Sequence, residues 1–336
     1  MVSITDKVKA SAALIAERSQ DVSIDEESVT ELANVLAEAH ISSNISPASW
    51  REHELHPCHL TTNDLVNYIF VLDSLNFSFW NDDLTPYTVL YKGTLQKGYW
   101  GLCAALNRAL DENIPIISPS YYSQVDKETL IHVFRPSDSS KPIPMLEERL
   151  EILHENGGIL CSKYKGCFTN VLNQCNQSAI KLIQLVVAEF PSFNDSCHFG
   201  DEVVYFMKRA QILVADLWGC FSGSPPAQFD DISELTMFAD YRVPQILASI
   251  GILSYTFELK NVLSSGKLLV HGSTQECEIR GCAIHAVEMV RQKIEEKVNE
   301  SLPSVLIDFY LWDLAKETSE TSENRALTHR TRTVFY

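Results

Sequence analysis

The sequence predicts a mainly α-helical fold with one small β-hairpin element. Apolar residues recur three and four positions apart in several segments, whereas one aromatic-rich stretch reads as two short strands around a turn. Proline and glycine fall at the ends of the periodic segments, where helices start and stop. In chain order the hairpin comes first: Tyr87-Thr88-Val89-Leu90-Tyr91, a Lys92-Gly93 turn, then Thr94-Leu95-Gln96-Lys97-Gly98-Tyr99-Trp100. A helix over 102–112 follows directly. Leu146, Leu150 and Leu153 make the next stripe after Pro144, and Asn156-Gly157-Gly158 reads as its left-handed terminal cap. Ile180, Ile183, Val187 and Phe190 form a stripe stopped by Pro191. Phe206, Ala210, Leu213 and Leu217 form another, in a helix that also carries Lys208, Arg209 and Asp216. Pro244 suits the first turn of a short helix, and Ile284, Val287, Ile294 and Val298 mark a longer one ending before Pro303. Leu306 to Asp313 reads as an apolar, aromatic helix carrying two carboxylates. The polar stretch 316–332 reads as a looser tail, while Thr333-Val334-Phe335-Tyr336 is apolar enough to dock. Without internal repeat, low-complexity tract or long linker, residues 1–336 read as a single compact domain, with two lobes around one cleft.

A chain of 336 residues can bury a sizeable core without disulfide or metal staples. At 45% hydrophobic and 21% charged its composition is globular, which excludes disorder over most of the length. Forty-four acidic residues against 27 Lys and Arg give a formal net charge of −17. Such a chain repels extended nucleic acid and anionic membrane, because phosphate backbones are bound by basic stripes that release counterions. No stable nucleic-acid complex is expected, although one small phosphorylated ligand is compatible with the charge. No apolar run approaches the about 20 residues that span a bilayer, and residues 1–10 lack the apolar core of a signal peptide. The nine cysteines include no C-x-x-C pair and lie mostly beside apolar residues, as reduced core thiols do. A cytoplasmic location is expected, with the nucleus also open, and nothing in the pattern sets an oligomeric state.

Four clusters could carry chemistry. His53-Glu54-Leu55-His56-Pro57-Cys58-His59 is rich in metal-ligating types, but its second His follows at i+3 and Pro57 interrupts any helix. No matching ligand pair stands downstream, so no metal is expected and the run reads as a polar loop with one functional histidine. Asn76-Phe77-Ser78-Phe79-Trp80 fits either core packing or a wall that stacks a planar ring through Phe77 and Trp80. Asp240 follows the apolar run Thr236-Met237-Phe238-Ala239 and precedes the helix at Pro244. It either caps that helix or pairs with Arg242, or else projects into a cleft as a charged catalytic group. Asp231, further upstream, is the next carboxylate to test. Asp308 and Trp312 share a helix face at i, i+4, while Asp313 lies roughly 140° around at about 100° per residue. Carboxylates among Phe, Tyr and Trp need a partner, which a cationic ligand or an arginine would supply. Nucleophile-elbow, P-loop and dinucleotide-binding patterns are absent, and no cofactor is expected.

Several runs taken together are highly specific. They are Asp73-Ser74-Leu75-Asn76-Phe77-Ser78-Phe79-Trp80, Gly98-Tyr99-Trp100-Gly101-Leu102-Cys103-Ala104-Ala105 and Lys208-Arg209-Ala210-Gln211-Ile212-Leu213-Val214-Ala215-Asp216. To these add Thr236 through Gln245, Glu278-Ile279-Arg280-Gly281-Cys282 and Tyr310-Leu311-Trp312-Asp313. The chain resembles, from about residue 10 to the carboxyl end, the queuosine salvage proteins, the queuosine 5′-phosphate N-glycosylase/hydrolase family. The resemblance implies a fold similar to helix-hairpin-helix DNA glycosylases. It implies hydrolysis of queuosine 5′-monophosphate at the bond between ribose C1′ and the base, leaving queuine, salvaged for tRNA modification, and ribose 5-phosphate. Queuine is a 7-deazaguanine and has no N7 to protonate, so stabilising the oxocarbenium-like sugar must carry more of the barrier. The same resemblance places the nucleophile or transition-state stabiliser on Asp240. It implies ligand contacts from His53, Phe238, Asp308, Trp312 and Asp313. His53, Lys208, Arg209, Arg242 or a helix amino terminus are candidates for the 5′-phosphate. Two other readings stand beside this one: a nucleic-acid base glycosylase, by fold analogy and against the charge, and a non-catalytic queuine-binding carrier using the same aromatic pocket.

Overall fold

Helical periodicity becomes fifteen α-helices among the described residues, joined by three two-stranded antiparallel sheets. The computed structural model describes residues 2–41, 49–82, 85–138, 140–321 and 327–336. The chain begins α1 (Ile4–Arg18), β1 (Val22–Ile24), α2 (Glu26–Ile41), α3 (Ser49–Glu52) and α4 (Thr62–Ser74). The hairpin β2 (Thr88–Tyr91) and β3 (Thr94–Lys97) leads into α5 (Tyr99–Asp111), α6 (Pro119–Tyr122) and α7 (Lys127–Val133). Next come α8 (Leu146–Lys163), α9 (Thr169–Leu172) and α10 (Ala179–Glu189). A second hairpin, β4 (Ser196–Phe199) and β5 (Glu202–Tyr205), precedes α11 (Lys208–Cys220) and α12 (Arg242–Ser249). After these, β6 (Leu253–Tyr255), α13 (Phe257–Ser264), α14 (Thr274–Val298) and α15 (Ser304–Thr321) complete the order. No helix among the described residues is long and apolar enough to cross a membrane.

The expected hairpin pairs Thr88 with Lys97 and Tyr91 with Thr94. Its second strand is shorter than the sequence suggests. Gly98 adopts φ +59°, turns the chain, and sends Tyr99 and Trp100 into the first turn of α5 instead. Two further β pairings went unread: β4–β5, and β1 with β6, which joins residues far apart in the chain. Strands of three or four residues carry little pattern to separate them from loops.

The predicted stop at Asn156-Gly157-Gly158 is wrong, because α8 runs through it to Lys163. A Cβ at Gly157 would lie 2.7 Å from the Ser123 Cβ and 2.8 Å from the Pro119 carbonyl, so this glycine lets α6 cross closely. Asn156 is buried and donates to Ser74 Oγ at 2.9 Å. The left-handed stop comes later, at Lys165 and Gly166. Of the supposed loose tail, α15 takes the part to Thr321, and 322–326 lie outside the described residues. The last residues do dock: Tyr336 is buried, its carbonyl accepts the Ser78 N–H at 3.0 Å, and Ser78 Oγ donates to the Thr333 carbonyl at 2.9 Å. The buried apolar residues form one connected core, in which α14 packs against α1 and α2 and α15 packs on α12.

Candidate active site

The site forms where the loop before α12 meets α15 and the first turn of α11. Asp308 lies on α15 with 4% of its surface exposed, and its Oδ2 accepts the Phe238 N–H at 2.8 Å. That bond ties the loop to the helix. Burial, reinforced by the nearby Asp240, raises the Asp308 carboxyl well above its usual range. Two residues past Phe238, Asp240 Oδ1 accepts the backbone N–H groups of Arg242 at 2.7 Å and Val243 at 3.1 Å. It therefore caps α12, as one reading of the sequence held. The cap uses one oxygen; Oδ2 has no hydrogen bond among the described residues.

Lys208 opens α11 and is buried, with Nζ donating to the Asn76 carbonyl at 3.3 Å. Burial lowers the pKa of its ammonium, and Asp240, then Asp73, oppose that shift. Behind it stand two more buried acids. Burial raises Asp216 to about 7, and raises Asp73 well above its usual range with Asp216 adding to the effect. Tyr99 donates its hydroxyl to Asp216 Oδ2 at 3.5 Å, and the same hydroxyl lies 3.0 Å from His56 Nε2. His56 Nδ1 faces the Trp50 carbonyl at 2.5 Å, which assigns a proton to Nδ1.

Rings wall the other side. His53 stacks on Trp100 with centroids 3.3 Å apart and planes 10° apart, and His56 stacks on Trp50 at 3.7 Å and 11°. Trp312, half-buried one turn beyond Asp308, meets the edges of Trp100 at 5.6 Å and Tyr99 at 6.0 Å. The arrangement can clamp a planar heterocycle and surround a cation with carboxylates.

The structure thus brings Phe238, Asp240, Asp308 and Lys208 together, and joins His53 to Trp312 through Trp100. Phe238 keeps its ring in the core, 6.4 Å from Phe309. Asp313 is exposed on another face of α15, as its helical angle requires. Arg242 is half-buried and donates to Gln245 Oε1 at 3.3 Å. Other candidates are committed elsewhere. Asp231 accepts the Ser178 hydroxyl at 2.6 Å and the Ala179 N–H at 2.5 Å, and so closes the amino terminus of α10. Phe77 is sealed between the guanidiniums of Arg149 at 4.2 Å and Arg209 at 5.2 Å, and Trp80 packs under Arg332 at 4.2 Å. Arg209 donates from Nη1 and Nη2 to the carbonyls of Ser74 and Ser192, and its buried Nε has no partner among the described residues. Of the histidine run, His53 and His56 come together, with ring centroids 5.7 Å apart and both rings against Trp100, whereas His59 is exposed.

Sequence reasoning missed Trp50, His56, Asp73, Tyr99, Trp100 and Asp216 as members of the site. The available signal was an acid set in the apolar stretch of each of two helices, Asp73 in α4 and Asp216 in α11, which demands a partner. Outside the site, Cys197 and Cys277 bring their sulfurs within 3.3 Å beside Glu276, whose oxygens already serve Arg280, Tyr336 and the Gly272 N–H. Two surface cavities of about 240 Å³ line α14, one against α1 and one against α2, with no residue of the ring cluster in either.

A family model described as queuosine salvage protein matches residues 55–336. The chain belongs to the queuosine salvage protein family. Its relatives within that family extend over nearly the whole length. A mouse (Mus musculus) protein is 44% identical, covering 98% of this chain and 98% of its own. A Schizosaccharomyces pombe protein is 42% identical over 93% and 92%, and one from Sphaerobacter thermophilus 37% identical over 96% and 95%. All three are named queuosine 5′-phosphate N-glycosylase/hydrolase.

Proposed function

We propose that this queuosine salvage protein hydrolyses the N-glycosidic bond of queuosine 5′-phosphate, releasing queuine and ribose 5-phosphate. The observation that carries the reading is Asp240: a carboxylate with one oxygen locked by two backbone N–H groups and the other without a hydrogen bond among the described residues, set among buried acids beside a wall of rings. As the bond to the base lengthens, positive charge grows on C1′ and the ring oxygen. A carboxylate held in place needs no reorganisation to meet it, and preorganised charge of this kind is worth several kcal/mol in the transition state. The negative surroundings also suit the secondary amine of queuine, with Asp308 one turn before Trp312 on α15 and Asp313 the residue after it. His53, Trp100 and Trp312 stack the deazapurine. The 5′-phosphate is the poor match to so acidic a site. Of the candidate cations Arg242 suits it best, because Arg209 is sealed and Lys208 is buried among carboxylates.

The test is direct. The pure protein is incubated with queuosine 5′-monophosphate, queuosine and queuosine-containing tRNA, and free queuine is measured. Release from the nucleotide supports the reading. Release from intact tRNA alone would assign a nucleic-acid glycosylase, and retention of ligand without release would assign a carrier.

A further inference from the structure

Arg280 is fully buried on α14, yet it reaches both strips of chain that make the site. Its Nε donates to the Ala239 carbonyl at 2.8 Å, the residue immediately before Asp240. Its Nη1 and Nη2 grip Asp195 at 3.1 and 2.6 Å. Asp195 Oδ2 in turn accepts the backbone N–H of Lys208 at 3.1 Å, and the Asp195 carbonyl accepts the N–H of Met207 at 3.2 Å. Met207 holds φ +55°, a left-handed turn that a non-glycine residue adopts only when its surroundings enforce it. The rings of Phe206 and Tyr336 lie against the guanidinium at 4.0 and 4.2 Å, so its plane is fixed.

Resting on the role proposed for Asp240, we infer that the Arg280–Asp195 pair is a positioning unit that holds the Asp240 loop at a set distance from the Lys208 turn. A buried ion pair is a weak device for stability alone, since apolar side chains of similar size often do as well. What apolar side chains cannot do is bond a carbonyl on one segment and an N–H on another at once. The ion pair does this, since the flat, five-donor guanidinium donates to the Ala239 carbonyl while the Asp195 carboxylate accepts the Lys208 N–H, and a lysine in place of the arginine cannot span carboxylate and carbonyl with the same geometry.

The experiment is a double-mutant cycle read by turnover of queuosine 5′-monophosphate, with folding followed by thermal melting. Arg280→Lys should lower kcat by on the order of tenfold or more while changing KM less than about threefold. In the Asp240→Asn background the same change should cost less than about twofold, because the charge being positioned is already gone. Asp195→Asn keeps an acceptor for both partners and repeats the cycle where Arg280→Lys fails to fold. Equal losses in both backgrounds, or unchanged kcat in Arg280→Lys beside an impaired Asp240→Asn, would overturn the inference alone. Full activity in Asp240→Asn would remove the role of Asp240 and the inference with it.

Discussion

Asp240 has two oxygens with separate occupations, and this makes its substitution informative. Asparagine caps a helix about as well as aspartate, so Asp240→Asn should keep the α12 amino terminus, with stability changed by less than about 1 kcal/mol. Turnover should fall by on the order of a hundredfold or more, while substrate affinity survives, because neutral ribose gains little from the charge. Melting temperature, affinity and single-turnover rate on one preparation separate this from a purely structural cap, which predicts a near-normal rate. Asp216 offers a second test through pH. Its folded-state value of about 7 lies above the ordinary 3.8, so the folded protein holds a proton that the unfolded chain has lost. Stability should then fall as pH rises from about 4 to 7 and flatten above, with one group contributing a slope of up to about 1.4 kcal/mol per pH unit. Asp216→Asn should remove that share of the slope in denaturant melts taken from pH 4.5 to 8. An unchanged slope would mean that Asp216 is ionised throughout.

At the scale of elements, α8 carries a matched pair of glycines with opposite expectations. Gly157→Ala drives a methyl into Ser123 and the Pro119 backbone, and should cost about 1–3 kcal/mol by overpacking. Gly158→Ala meets nothing within 4 Å and should be neutral or stabilising by up to about 1 kcal/mol, as alanine favours the helix. Urea melts of the two variants decide. The same pair shows what local sequence carries and what it does not. The stripe at 180–190 matched α10 almost to the residue, and that at 284–298 matched the end of α14, which begins earlier at Thr274, because an apolar period reports its own burial. Asn-Gly-Gly also has a strong local meaning, helix termination, but at α8 the glycine answers to α6, a partner that no local pattern announces. The site divides similarly. The family runs pointed to Asp240, Phe238, Asp308 and Trp312, which do assemble. Asp231 caps α10, and Phe77 and Trp80 stack on arginines, occupations that are tertiary facts.

Taken whole, the molecule is fastened along α14. Glu278 accepts the backbone N–H groups of Gln20 and Asp21 at 3.0 and 2.7 Å, while Glu276 accepts the Tyr336 hydroxyl at 2.8 Å. Arg280, on the same helix, holds the loop of Asp240. Tyr336→Ala should therefore cost about 3–5 kcal/mol, as deleting a buried aromatic does, and depress turnover as well. Tyr336→Phe, which keeps the ring against Arg280 and loses one hydrogen bond to a carboxylate, should cost about 1.5–3 kcal/mol and leave turnover nearly normal. Thermal melts and initial rates of both variants check this, and a normal rate in Tyr336→Ala would show that the loop does not depend on that ring.

The lacing also sets an order of events during synthesis. Ser19, Gln20 and Asp21 leave the ribosome long before the glutamate that binds them, and Asp240 emerges well ahead of Arg280 and Tyr336. At roughly 5–20 residues per second the loop of Asp240 waits for seconds without its fastening. A nascent chain holding every acid of the site still lacks the geometry that makes them a site. Hydrolytic competence should then arrive abruptly, when Tyr336 closes over Arg280, and not accumulate helix by helix.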